Sequence, residues 1–173
     1  MVRELRRVLV TGASGAGTTT LGRALADALG AAFFDADDYF WLATDPPFRE
    51  KRAASERLAL LTGALASVER AVVAGAVAEW GRELEDSFSL IVFLTVPAAV
   101  RVDRLRARDV ARYGRVDDAF LAWAAQYDEG RLAGRSRARQ EAWLAGRATR
   151  ILRLDGDLST EQRLEAVLGV LGS

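Results

Sequence analysis

The residues of this chain best placed to do chemistry lie within its first forty positions. Gly12-Ala13-Ser14-Gly15-Ala16-Gly17-Thr18-Thr19 follows a short apolar run and opens a helical pattern. Its fixed positions match G-x-x-x-x-G-K-[ST] everywhere except the lysine, where Thr18 stands. Glycines at this spacing permit a compact turn whose backbone N–H groups point inward. They meet the positive end of the helix that follows, so the loop can bind phosphate without the lysine. Gly12, Ala13, Ser14, Gly15, Ala16, Gly17, Thr18, Thr19 and Thr20 form the candidate cradle, and Thr19 stands where a hydroxyl coordinates Mg²⁺. The alternative is a ligand-free Gly-rich turn. The position of the motif, between the first strand and the first helix, favours phosphate.

The lysine of that pattern normally neutralises the β- and γ-phosphates, and its loss removes transition-state stabilisation. Either an arginine from elsewhere replaces it, or the protein binds nucleotide and catalyses poorly. Lys51, the single lysine of the chain, is one possible replacement.

A second constellation is Asp35-Ala36-Asp37-Asp38, read at the carboxyl end of a strand, where open α/β sheets bind their ligands. Two carboxylates one residue apart in an extended segment point the same way. One of them would hold Mg²⁺ and the other accept a proton from an attacking hydroxyl. The competing reading is an Asp-rich turn that caps the next element. The aromatics Tyr39, Phe40, Trp41 and Phe48 follow, with Arg49, Lys51 and Arg52. They read either as an acceptor pocket with an anion clamp or as a long loop packed on the core.

Arg101, Arg104, Arg108 and Arg112 fall within a sector of roughly 80° on a helix that starts beside the phosphate loop. Such a row is either a solvated face or a source of bidentate phosphate contacts, above all from Arg104 and Arg108. Arg131, Arg135, Arg137 and Arg139 cluster around Gly130 and Gly134. They read either as a lid that carries charge to the transferring phosphate or as a solvated helix junction.

Composition narrows the chemistry. The chain has 173 residues, no Cys and no His. Disulfides, zinc–thiolate sites, Cys nucleophiles and histidine-dependent triads are excluded, so a general base must be Asp or Glu. Lys+Arg and Asp+Glu both number 24, a zero net charge that argues against nucleic acid or an acidic membrane as partner. No apolar stretch reaches the roughly 18 residues of a membrane span, and no signal-peptide core is legible. A cytoplasmic protein is expected, monomer or homodimer left open.

The elements that must position these residues alternate. Strands are predicted at Val8–Val10, Ala31–Phe34, Ala71–Ala74, Leu90–Val96 and Ile151–Leu154. Helices are predicted over Thr19–Leu29, Lys51 to about Ser67, Val100 to about Arg112, Asp117–Leu132 and Arg135–Leu144. A last helix opens at the capping-box spacing Ser159-Thr160-Glu161-Gln162. Strands alternating with helices predict a parallel sheet covered on both faces, in one domain over residues 1–173.

Three segments resemble the adenylate-kinase-like group of P-loop small-molecule kinases. They are Gly12 to Thr19, Phe34-Asp35-Ala36-Asp37-Asp38, and Ile91 to Pro97 followed by Asp103-Arg104-Leu105-Arg106-Ala107-Arg108. Leu154-Asp155-Gly156 adds a weaker match to the last strand and turn near the base. The resemblance implies an α/β fold, the three-layer αβα P-loop NTPase architecture with a five-stranded parallel sheet and a small helical lid over approximately residues 109–147. It implies Mg²⁺-dependent transfer of the γ-phosphoryl group of ATP to a small-molecule or nucleotide acceptor. Asp35 would lie near Mg²⁺ with Thr19, Asp37 at the acceptor, Arg104 on the adenine and Arg108 on phosphate. The catalytic set is thus Asp37, Asp35 and Arg108. Residues Asp35 to Arg52 also look like an uncharacterised bacterial branch with Gly-Thr-Thr-Thr loops, in which Thr18 is a normal feature. The rival reading is a nucleotide-binding regulatory protein that transfers nothing.

Overall fold

The computed structural model describes residues 6–130 and 135–172. Five strands form one sheet: β1 (Arg7–Gly12), β2 (Ala32–Asp35), β3 (Ala71–Ala74), β4 (Leu90–Thr95) and β5 (Arg150–Asp155). Eight helices accompany them: α1 (Thr18–Leu29), α2 (Ala36–Phe40), α3 (Ala54–Ala66), α4 (Arg82–Glu85), α5 (Ala98–Tyr113), α6 (Asp118–Ala125), α7 (Arg137–Ala145) and α8 (Thr160–Leu171). The strand order is β2-β3-β1-β4-β5, and every pairing is parallel. This is the three-layer α/β architecture that the alternation predicts.

β1, β3 and β4 are almost wholly buried because helices cover both faces, which is why they read as continuous apolar runs. On one face Val8, Val10, Val72, Leu90, Val92 and Leu94 pack with Leu21, Leu25 and Ala26 of α1 and Val167 of α8. On the other, Leu9, Val73, Ile91 and Phe93 pack with Leu61 and Leu65 of α3, Leu84 and Leu144. α5 and α6 share a small cluster of Leu105, Leu121 and Ala124 at the carboxyl end.

Three stretches differ from the preferred sequence reading. Asp35-Ala36-Asp37 is not an extended run. Asp35 caps α2, and its Oδ1 accepts the Asp37 N–H at 3.0 Å, so Asp37 stands in the first turn of a helix. A side chain that can cap wins locally over the extended backbone. α6 ends at Ala125, well before Leu132, and a turn over residues 126–130 follows. The helix predicted from Lys51 starts at Ala54.

Candidate phosphate-transfer site

The loop after β1 is forced into shape by contact. A Cβ on Gly12 would lie 2.6 Å from the Leu94 carbonyl oxygen, and Gly15, at φ 81°, has the Arg101 carbonyl oxygen 2.7 Å from where its Cβ would stand. Only glycine tolerates both the approach and the left-handed backbone. Gly17 precedes α1 without any side-chain cap, so the first N–H groups of that helix are free of protein side-chain acceptors.

The loop's carbonyls accept hydrogen bonds from four arginines. Arg135 donates through Nη2 to the Gly12 oxygen, and Arg101 Nη1 donates to Ser14 O at 3.3 Å. Arg104 Nη1 lies 3.5 Å from Gly15 O, and Arg163 Nη1 donates to Ala16 O at 2.7 Å. The carbonyls of one short loop thus meet guanidinium groups from α5, α8 and the segment before α7. Their combined field is positive at the mouth of α1, where an anion would sit.

The sequence-predicted residues meet this loop unequally. The Thr19 hydroxyl donates to Asp35 Oδ2 at 3.1 Å, which joins the start of α1 to the end of β2. Asp37 is exposed at the rim, yet its carboxyl is raised above the usual range. Partial burial is the main cause, followed by the carboxylates of Asp35 and Asp38, with Arg135 and Arg108 pulling the other way. Asp38 is raised by desolvation and by Asp35. Thr20 is exposed, and Thr18 opens the helix.

The arginine row of α5 is not one face. Arg101 is 1% exposed and donates to Val96 O, Ser14 O and Ala124 O while pairing with Asp128 at 2.9 Å, so it is structural rather than solvated. Arg104 bridges Gly15 and Asp157, between the loop and the turn after β5. Arg108 pairs with Asp109, lies over the Phe120 ring and remains half-exposed. Arg112 lies over Tyr113.

The second arginine cluster also separates. Arg137 is 3.9 Å from Asp128, Arg139 pairs with Glu79 at 3.1 Å, and Arg135 turns inward to the loop. Arg131 lies outside the described residues. α7 is tied to β1 by Gln140, whose Nε2 donates to Thr11 at 2.8 Å and whose Oε1 accepts from Tyr127. Burial pushes the Tyr127 hydroxyl up to about 12, so it stays a donor throughout the physiological range.

In the Tyr39–Arg52 stretch, packing predominates. Tyr39 and Phe40 lie against the core, Lys51 lies over Phe40, and Arg52 holds Tyr39 O and Glu56. Sequence reasoning missed Arg57, whose guanidinium carbon lies 4.7 Å and 4.9 Å from the Phe40 and Trp80 ring centroids. It also missed Arg163 and Gln140. None of the three stands in a motif, because each is recruited from a distant element. A cleft lined by Gly30, Ala32, Val68, Glu69 and Arg70 lies at the opposite end of the strands and holds none of this chemistry.

A glycine-rich loop between the first strand and first helix of a five-stranded parallel sheet, with an aspartate pair and several arginines beside it, defines the fold of the P-loop small-molecule kinases. The chain belongs to the AAA domain family, whose model matches residues 8–119. It is 38% identical over 178 residues to "Uncharacterized protein YqaC" of Bacillus subtilis (strain 168), a match covering 97% of this chain and 98% of that one. Among solved structures it resembles a gluconokinase from Sinorhizobium meliloti 1021, with TM-score 0.61 and 21% identity over 98% of this chain and 93% of the other. It also resembles the shikimate kinase of Acinetobacter baumannii, with TM-score 0.61, 16% identity and coverage of 97% and 93%. The deoxyadenosine kinase of M. mycoides gives TM-score 0.58 at 14% identity, covering 96% and all of the partner structure. At these identities the structural likenesses establish a shared fold.

Proposed function

We propose that the protein is an ATP-dependent phosphotransferase that moves a γ-phosphoryl group to the hydroxyl or phosphate of a small molecule or nucleotide. The observation that carries this reading is the Thr19–Asp35 hydrogen bond, with Asp37 two residues on in the first turn of α2. This contact supports the reading that a phosphate loop and an acceptor-side carboxylate share one rim.

Donor phosphates lie in Gly12 to Thr20, on the uncapped start of α1. For a hydroxyl acceptor, its oxygen attacks the γ-phosphorus, the bond from that phosphorus to the β,γ-bridging oxygen breaks, and the acceptor proton passes to Asp37. The raised affinity of Asp37 for a proton suits it to that acceptance. Arg104 and Arg108 add positive charge on the donor side, and the lid lies within approximately 109–147, of which residues 109–130 and 135–147 are described.

Thr19 Oγ1 and Asp35 Oδ2 are a hydroxyl and a carboxylate within 3.1 Å of each other, the oxygen donors that Mg²⁺ prefers. No group of three or more acidic residues among the described ones forms a metal cage, which suits an ion held largely by substrate phosphates. When bound, Mg²⁺ neutralises charge on the β- and γ-oxygens. Thr19 and Asp35 would hold it. Catalysis is positioning plus electrostatics, without a covalent intermediate.

The test is ATP consumption against a panel of sugars, other polyols, nucleosides and nucleotides, beside calorimetry with magnesium nucleotides alone. Acceptor-dependent turnover supports transfer. Tight binding without turnover for any acceptor favours the regulatory reading, which the absence of a lysine at position 18 supports. No heat with any magnesium nucleoside triphosphate up to the millimolar range overturns both.

A further inference from the structure

We propose that Arg135 supplies the cation that the phosphate loop lacks at position 18, lying against the terminal phosphates of the donor from the side opposite the helix. This deepens the phosphotransferase reading and rests on it.

The loop has four arginines within hydrogen-bond distance of its carbonyls, and three are otherwise committed. Arg101 is fully buried and engaged with three carbonyls and Asp128. Arg104 is held by Asp157, and Arg163 spans Ala16 O and Gly156 O. Lys51 lies over Phe40 and is bridged to Trp41, in contact with the acceptor-side aromatics rather than with the loop. Arg135 differs. Its bond to Gly12 O anchors one arm at the first residue of the loop, while its Nε is buried without a partner. A buried N–H left unsatisfied is costly, and a phosphate oxygen satisfies it.

Position distinguishes it further. Arg163 also has an unpartnered Nε, but its charged neighbours are Arg104 and Asp157, on the side of the turn after β5. The charged neighbours of Arg135 are Asp37 and Arg101. It therefore touches the loop at Gly12 O and stands near enough to Asp37 to feel its charge. A guanidinium there offers two or more parallel donors, where an ammonium at position 18 would offer a point charge. The chain has kept the charge and changed the element that delivers it, from the first turn of α1 to the segment leading into α7.

The test is a double-mutant cycle read by calorimetry with MgATP and MgADP, no acceptor present, each variant checked by its thermal melt. Arg135→Gln removes the charge and leaves a shorter polar side chain. It is expected to weaken MgATP at least tenfold while the melt stays near that of the parent. Thr18→Lys added to Arg135→Gln is expected to recover most of that loss, and Thr18→Lys alone to gain much less. Arg135→Lys, the fallback should Arg135→Gln melt early, is expected to bind within about fivefold of the parent. A purely structural arginine would not be rescued by a lysine on another element. If the parent binds MgATP and Arg135→Gln binds it within twofold, the inference fails and the phosphotransferase reading stands. A tenfold loss that Thr18→Lys leaves unrepaired overturns the inference as well. A parent that binds no magnesium nucleotide overturns both.

Discussion

Asp37 carries the sharpest residue-scale expectations. Asp37→Asn should lower turnover by at least 100-fold while changing MgATP affinity less than about threefold, because a general base contributes on the order of 10²–10⁴ in rate and does not touch the donor. The same substitution should act on stability with a definite sign. A folded-state carboxyl raised above its unfolded value binds protons more tightly when folded, so stability falls as pH rises through the raised pKa. Asp37→Asn therefore raises the melting temperature at neutral pH, and the gain vanishes below the ordinary value of 3.8, where both states are protonated. A gain that grows on acidification would contradict this. Gly15→Ala is a different kind of change. With φ at 81° and a carbonyl 2.7 Å from the new methyl, it should cost roughly 1–3 kcal/mol in strain alone and weaken nucleotide binding by distorting the loop. Urea unfolding together with calorimetry reads both.

At the scale of elements, α5 separates two arginines that look alike in the sequence. Arg101→Met removes a fully buried group with four partners and should destabilise by more than about 3 kcal/mol. Arg104→Met removes a partly exposed one and should cost less than about 1 kcal/mol, yet weaken nucleotide binding. Denaturant melts of the two variants test the contrast. Periodicity placed both on one sector and was silent on depth, because burial depends on what packs over a helix. Here α6 covers the start of α5, and the sequence pattern cannot say so. The strands and the phosphate loop were legible because buried parallel strands and glycine turns are written in adjacent residues. The turn of α2 was legible only as the competing reading of the Asp cluster, since Asp35 fits a strand end and a helix cap equally well. The four-arginine support of the loop was not legible, because it joins residues far apart in the chain. α7 deserves the same treatment as α5: Gln140→Leu breaks the bonds to Thr11 and Tyr127 and should loosen α7 from β1, seen as faster amide exchange in both elements.

For the whole molecule, nucleotide binding should appear as stability. MgATP at 100 times its Kd should add about 2.7 kcal/mol, read as an upward shift of the melt, and the shift should disappear without Mg²⁺ if Thr19 and Asp35 hold the ion. No described helix is long and apolar enough to cross a membrane. The sheet order places β1 centrally, and the loop that follows it draws support from both later parts of the fold. Arg163 of α8 stands furthest along the chain from the loop among those supports, and donates to Ala16 O at 2.7 Å. Arg163→Met should therefore loosen the phosphate loop at Ala16 from 147 residues away, read as faster amide exchange in the loop.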